Sequence, residues 1–215
     1  KINETSIIKV KYDVIVKNKY SLFVNKYNVK EVEKIEGIEY KKLADICNIC
    51  SGVKCSMPDE MFCDNDENPK YIRIINLISN KISGEFKYLS SKGIEKTKNN
   101  KFSKNDMYFS IVGTVGLCGM IEDNFINSVH SGNIVRMSNI KNIDKKYLMY
   151  YINSDIFKKI LNTIISTTTQ PATSINKLEN LEIPIPDIKI QKKIIEFLKI
   201  TFFAYQNHIG MIQFQ

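Results

Sequence analysis

The stretch 102–116 constrains the fold more tightly than any other part of the chain. It opens on turn formers, Lys104 and Asn105 with Asp106, passes through the β-branched and aromatic run 107–112, and closes where Gly113 and Gly116 flank Thr114. A run of that kind reads as a buried strand, and paired glycines mark a bend that residues bearing a Cβ resist. The order is therefore turn, buried strand, tight turn. Residues 117–122 supply the hairpin partner of that strand, and the rest of the chain has to arrange itself about this hairpin.

Before the hairpin, 7–16 is strand-like although charges interrupt it, and 29–35 reads as a short polar helix. Residues 40–53 read as a polar turn and then an apolar strand, 56–69 as a loop rich in Pro, Asp and Asn, and 71–75 as a strong strand, with a turn near Asn80. Ser91 to Gly93 marks a break, and 94–101 is a short polar segment. After the hairpin, 133–137 is a further strand. Asp144 is placed to cap a helix over 145–153, and Ser154 or Asp155 a second over 156–165, where Ile156, Ile160 and Ile164 form one apolar stripe. Tyr147, Tyr150 and Tyr151 are assigned to core packing rather than to base stacking.

Residues 178–185 read as a strand stopped by Pro184 and Pro186, and Asp187 caps a last helix. In it Ile195, Leu198, Phe202, Tyr205, Ile209 and Ile212 are spaced by three and four, a seam that needs a partner helix. The sum is an α+β protein with a curved mixed or antiparallel β-sheet, packed helices and a terminal amphipathic helix.

The 215 residues suffice for one substantial domain with an appendage, or two small ones. With 43% hydrophobic and 25% charged residues the composition is that of an ordinary globular protein. No apolar run is long enough to cross a bilayer and the first residues form no signal peptide, so the expected location is the cytoplasm. A first residue other than Met points to a piece of a longer polypeptide.

The net charge of +8 has two readings, the codon bias of an AT-rich genome or a phosphate-facing surface. Clustering favours the second, since Lys87, Lys92, Lys96, Lys98, Lys101 and Lys104 fall in one stretch with only Glu95 against them. Cys47, Cys50, Cys55 and Cys63 have the density of a thiolate zinc site, but Cys47 and Cys50 lie in an apolar pattern where cysteine acts as a small hydrophobe. No structural metal is expected.

The ordered combination of 102–116, the Thr-Gln-Pro loop at 166–171 and the Ile-Pro-Ile-Pro-Asp run that leads into the helix bearing Gln191 resembles a known family. It is similar to the target recognition domains of type I restriction-modification specificity subunits and of their fused relatives in adenine methyltransferases. The resemblance covers roughly 39–203 and begins with Leu43-Ala44-Asp45-Ile46 running into Gly52, with Ala44 where glycine is frequent. It implies sequence-specific recognition of double-stranded DNA that directs adenine-N6 methylation by an attached or associated methyltransferase domain. The organisation implied is a tail of an upstream methyltransferase or linker at 1–36, the recognition domain at 37–187 and a spacer-type helix at 188–215. S-adenosylmethionine would belong to the methyltransferase, with no cofactor bound by this chain. A stand-alone half specificity subunit that dimerises through its last helix is the alternative, and a protein-protein scaffold is the alternative of another class.

The sequence carries no Asn-Pro-Pro-aromatic motif, no Gly-Lys-Ser/Thr phosphate cradle and no paired carboxylates of a nuclease centre, and His130 and His208 fit no nucleophile-base pattern. Catalysis is not expected of this chain alone. What remains is reading, which needs short polar side chains for base edges and cations for phosphates. Thr167, Thr168, Thr169, Gln170, Thr173 and Ser174 offer the first inventory, unless that loop is an exposed linker with helix-capping threonines. The resemblance places this loop beside the duplex. Arg73, Thr114, Ser131, Asn133 and Lys177 are further DNA-binding candidates, and Lys92, Lys96, Lys98 and Lys101 are the phosphate contacts.

Overall fold

The structure is a computed structural model that describes residues 10–17, 20, 33–53, 57–166 and 170–212. In chain order it comprises α1 (Tyr12–Lys17), β1 (Glu39–Lys42), α2 (Leu43–Ile46), β2 (Asn48–Ser51), β3 (Phe62–Cys63) and β4 (Lys70–Ile72). There follow β5 (Leu77–Ile78), β6 (Lys81–Ile82), β7 (Lys87–Leu89), α3 (Ser91–Lys96), β8 (Met107–Ser110), β9 (Cys118–Met120), β10 (Val129–His130) and β11 (Ile134–Ser138). The chain ends on α4 (Lys145–Ile152), α5 (Asp155–Ile164), α6 (Ile175–Glu179), β12 (Glu182–Ile185) and α7 (Ile188–Ile212).

The strand expected at the centre is there. β8 is buried at every position and lies between β11 and β9, antiparallel to both, in a sheet of order β2-β11-β8-β9. Successive strand side chains point to opposite faces, so Met107 and Phe109 join one apolar cluster while Tyr108 joins another. On the first face Phe109 meets Phe157 of α5 edge-on at 6.4 Å, with Leu148, Ile152 and Leu161 around them. On the second, Tyr108 and Ile134 pack with Phe102, Ile72, Leu77 and Phe125. A strand covered on both sides has no polar face to show, which is why it is apolar and aromatic up to Ser110, the buried residue that turns the chain.

A second sheet, of order β10-β4-β7-β3, pairs β4 parallel with β10 and antiparallel with β7. β1 pairs with β12, so residues far apart in sequence close on each other from Glu39 against Ile185 to Lys42 against Glu182.

The caps fall where the sequence placed them. Asp144 accepts from the Lys146 amide at 2.8 Å, Ser154 from Phe157 at 3.2 Å and Asp187 from Lys189 at 2.8 Å. Tyr147 is buried and Tyr150 and Tyr151 half-buried, as core packing requires.

Several expectations are corrected. Residues 12–17 are helical rather than strand-like, with Asp13 in the first turn where the helix dipole favours an acid, and Ile7 to Lys9 lie outside the described residues. Of the helix expected over 29–35, residues 33–35 are irregular and 29–32 lie outside the description. A strand and a helical turn precede the apolar strand β2, which is confined to 48–51, because Leu43 and Ile46, three apart, turn together into the core. The strand at 71–75 stops at Ile72, and Ser91 to Gly93 opens a helix instead of breaking the chain: Ser90 caps it, and Gly93 lets it lie on Met61, whose carbonyl a Cβ there would strike.

In α5 the buried stripe is Phe157 and Leu161, with Ile160 and Ile164 half-buried beside it and Ile156 exposed. Leu178 belongs to α6, not to a strand, and Pro184 sits within β12, which has a single neighbour and so can spare an N–H. The seam of α7 finds its partner in α4 at Ile195, and the side chains of Phe202, Tyr205, Ile209 and Ile212 lie outside the described residues.

Candidate nucleic-acid interface

Parallel pairing of β4 and β10 determines the geometry. The two strands run in the same direction and deliver Arg73 and Ser131 side by side at their ends, with the Ser131 amide donating to the Ile72 carbonyl at 2.9 Å. β7 runs the other way and begins at Lys87 at this same end. An open cleft of about 340 Å³ results, lined among others by Arg73, Ile75, Lys87, Ser131 and Asn133. Lys87 lies 4.7 Å over the Phe62 ring and 3.5 Å from the Asp59 carboxylate. The Arg73 Nε and the Ser131 Oγ are shielded from solvent without a hydrogen-bond partner among the described residues.

His130 precedes Ser131 at the end of β10 and does not itself line the cleft. It is fully buried and stacked on Phe102 with ring centroids 4.5 Å apart, and its Nδ1 lies 2.9 Å from the Ile134 carbonyl. A carbonyl can only accept, so Nδ1 carries the proton and donates. Burial lowers the pKa to about 4, which keeps the ring neutral near pH 7. It packs as part of the core, its Nε2 buried without a hydrogen-bond partner among the described residues.

The turn after β8 lies next to Ile74, a lining residue of this cleft. Gly113 and Gly116 take φ values of 82° and 99°, the left-handed region that glycine enters freely. The Ser110 hydroxyl, fully buried, donates to the Thr114 carbonyl at 2.5 Å and accepts from Leu117 at 2.8 Å, which fixes the turn. The Gly113 amide donates to Pro171 at 2.9 Å, Thr173 to Ile111 at 2.9 Å, and Ile111 to Asn133 at 2.8 Å. A Cβ on Gly113 would stand 3.6 Å from Gln170 Nε2 and 3.8 Å from the Ile74 side chain. Gln170 and the Thr114 turn are thereby brought beside the Ile74 turn and the strand ends that carry Arg73, Ser131 and Asn133. Thr167, Thr168 and Thr169 lie outside the described residues.

Other candidates have local work. The Thr173 hydroxyl and the Lys177 ammonium both donate to the Ile164 carbonyl, at 3.4 and 3.1 Å, satisfying the free end of α5. Ser174 caps α6 by accepting from Lys177 at 3.3 Å. The lysine stretch is less free than its sequence implied: Lys92 lies 3.7 Å from Glu60, Lys98 2.6 Å from Glu95 and Lys104 3.9 Å from Asp123. Lys96 is exposed without such a partner among the described residues, and Lys101 is half-buried where its backbone bridges to Val129. None of Lys92, Lys96, Lys98 and Lys101 lines the cleft, and α3 begins at the end of the small sheet remote from Arg73.

Sequence reasoning passed over Ile75 as a site residue and took Lys87 only as the first of the phosphate-facing lysine stretch. It also passed over the signal that singles out Arg73, that of 31 basic residues only Arg73 and Arg136 are arginines. Cys47 is buried in the larger core, donating to Leu43, while Cys63 donates to Leu89 from the second sheet, and Cys55 lies outside the described residues. Among the described residues no group of His, Cys, Asp and Glu is placed to hold a metal, and no helix is long and apolar enough to cross a membrane.

A family model described as the type I restriction modification DNA specificity domain matches residues 35–208. The specificity subunit of the type I restriction enzyme MjaVIII from Methanocaldococcus jannaschii is 27% identical over 179 residues, 80% of this chain and 37% of that protein. A chain from a structure of the type I R-M system superposes with a TM-score of 0.63 at 15% identity, covering 85% of this chain and 42% of its own length. The HsdS subunit from Thermoanaerobacter tengcongensis gives a TM-score of 0.60 at 13% identity over 86% of this chain and 41% of that one. The S subunit from M. genitalium gives 0.53 at 16% identity over 85% and 44%. The chain thus spans less than half the length of these relatives, and the structural likenesses show a shared fold. Because the family match extends over most of the sequence, the chain belongs to the type I restriction modification DNA specificity domain family.

Proposed function

We propose that this chain reads a double-stranded DNA sequence for a restriction-modification system and so directs adenine-N6 methylation. The methyltransferase domain or subunit it serves binds S-adenosylmethionine, and the whole works in the cytoplasm. Residues 37–187 form the recognition domain, 188–215 a spacer helix, and 1–36 the tail of a methyltransferase in the same polypeptide. The observation that carries the reading is the convergence at one sheet end of Arg73, Ser131, Asn133 and the loop bearing Gln170, an inventory suited to base edges. The family, whose description speaks of DNA specificity, and the likeness to the specificity subunit of the type I restriction enzyme MjaVIII support it.

A second arrangement has its own support. Phe197 and Ile200 of α7 are 66% and 69% exposed, so the helix offers apolar surface that α4 does not cover. In that reading two half subunits pair through α7, and separate methylation and restriction subunits join them.

Sequencing the methylated adenines in DNA exposed to the complete protein with S-adenosylmethionine tests both. One modified adenine on one strand of a short uninterrupted site supports the fused enzyme. A split palindrome marked on both strands supports the paired half subunit. A protein that shifts no duplex in a mixed pool is a scaffold instead, and the proposal fails.

A further inference from the structure

We infer that Arg73 is the guanine reader of this interface, its guanidinium making the paired contact to O6 and N7 of one guanine in the major groove. The inference rests on the reading of the chain as a DNA recognition domain.

The first ground is economy of arginine. A chain that draws its positive charge overwhelmingly from lysine uses arginine twice, and the two residues differ in what they do best. Lysine is a mobile point charge, whereas arginine presents a rigid planar fork matched to two acceptors at once. Arg136 is engaged internally: its Nε lies 3.8 Å from the Asp106 carboxylate and its Nη1 donates to the Lys101 carbonyl. Arg73 has, among the described residues, no carboxylate beside it; its Nε, like that of Arg136, has no hydrogen-bond partner there. Arg73 lines the open cleft, so an acceptor that enters there from outside the chain meets it first among cations free of a carboxylate.

The second ground is pre-organisation. The backbone at Arg73 is held by Asn76, which is 1% exposed: its Oδ1 accepts from the Arg73 amide at 3.0 Å, and its Nδ2 donates to Glu85 at 2.8 Å and Ser83 at 3.3 Å. A fixed base leaves less conformational freedom to lose on binding.

The third ground is the company the guanidinium keeps. No acid lines the cleft, and its one lysine is already near Asp59. The walls are Phe62, Ile74 and Ile75, the last 62% exposed. A phosphate would be met more simply by the exposed lysines elsewhere. A recessed fork beside an exposed isoleucine fits a planar base edge, with Ile75 against the adjoining base pair, where a thymine methyl offers apolar contact.

The test begins by selecting the preferred duplex from a random pool with the complete protein. Each guanine of that site is then replaced in turn by 7-deazaguanine, which lacks the N7 acceptor, and binding is measured for wild type and Arg73→Lys. The expected result is one guanine whose replacement weakens wild type by about 10- to 100-fold and leaves Arg73→Lys unchanged. The variant itself should lose about the same factor on the selected duplex and nothing on an unrelated one. Wild-type protein indifferent to 7-deazaguanine everywhere overturns the inference, and this arm does not depend on whether the variant folds. A variant weakened equally on every duplex, with a shallower salt dependence, overturns it in favour of a phosphate contact. A wild-type protein that selects no sequence defeats the underlying reading instead, which separates the two failures.

Discussion

Lowering the pH from 7.5 to 5.5 should weaken this fold through His130. The buried ring carries a pKa of about 4, against 6.5 for an unburied histidine, chiefly because burial excludes water from the cation, with Arg136 adding its own repulsion. The neutral ring is therefore what the native state holds, while the unfolded chain takes up a proton as soon as the pH passes below 6.5. Stability from this source is complete above that value and is lost as the pH falls toward 4. The full loss is about 3 kcal/mol, and about 1 kcal/mol of it falls by pH 5.5, before most carboxylates titrate. Asp106 works in the opposite sense, since burial raises its pKa against the pull of the Ser103 amide and Arg136, so stopping at pH 5.5 limits its contribution. Urea unfolding of wild type and His130→Asn at both values is the assay. The variant lacks the proton site and should show a flatter profile, while His208, present in both, cancels. Wild-type protein that loses no more stability than the variant between pH 7.5 and 5.5 would refute the argument.

Gly93→Ala should cost about 1–3 kcal/mol, because the new methyl collides with the Met61 carbonyl and must push α3 off its bed; an unchanged urea midpoint would contradict this. Replacing Lys96, Lys98 and Lys101 together by Ala should weaken all duplexes alike and flatten the salt dependence by about 0.9 log units for each phosphate no longer neutralised, whereas an unchanged slope would exclude these lysines as phosphate ligands. Gln170→Ala should change which base is preferred, by about 1–3 kcal/mol at one position, without changing overall grip, as a selection from random duplexes would show.

Where a feature depends on neighbours in sequence, the chain itself determined it. The run 107–112 needed only its own side chains to become the doubly buried β8, and Gly113 and Gly116 only their lack of a Cβ to turn the backbone. Asp144, Ser154 and Asp187 cap helices because the amides they satisfy lie two or three residues ahead. Short elements were a different matter. The one-turn helix at Leu43–Ile46 and the halt of β4 at Ile72 depend on Leu181 and on the buried Asn76, groups that no periodicity displays.

The site shows the same division. That Arg73, Ser131, Asn133 and Gln170 are polar or charged was legible, but that they meet was decided by the parallel pairing of β4 with β10 and by the Gly113–Pro171 bond. Such pairings join segments tens of residues apart, and nothing local records which distant partner will repay the entropy of closing the loop. The partial pairing of the lysine stretch has the same origin: the carboxylates of Asp59, Glu60 and Asp123 lie outside it in sequence, and only folding carries them to Lys87, Lys92 and Lys104.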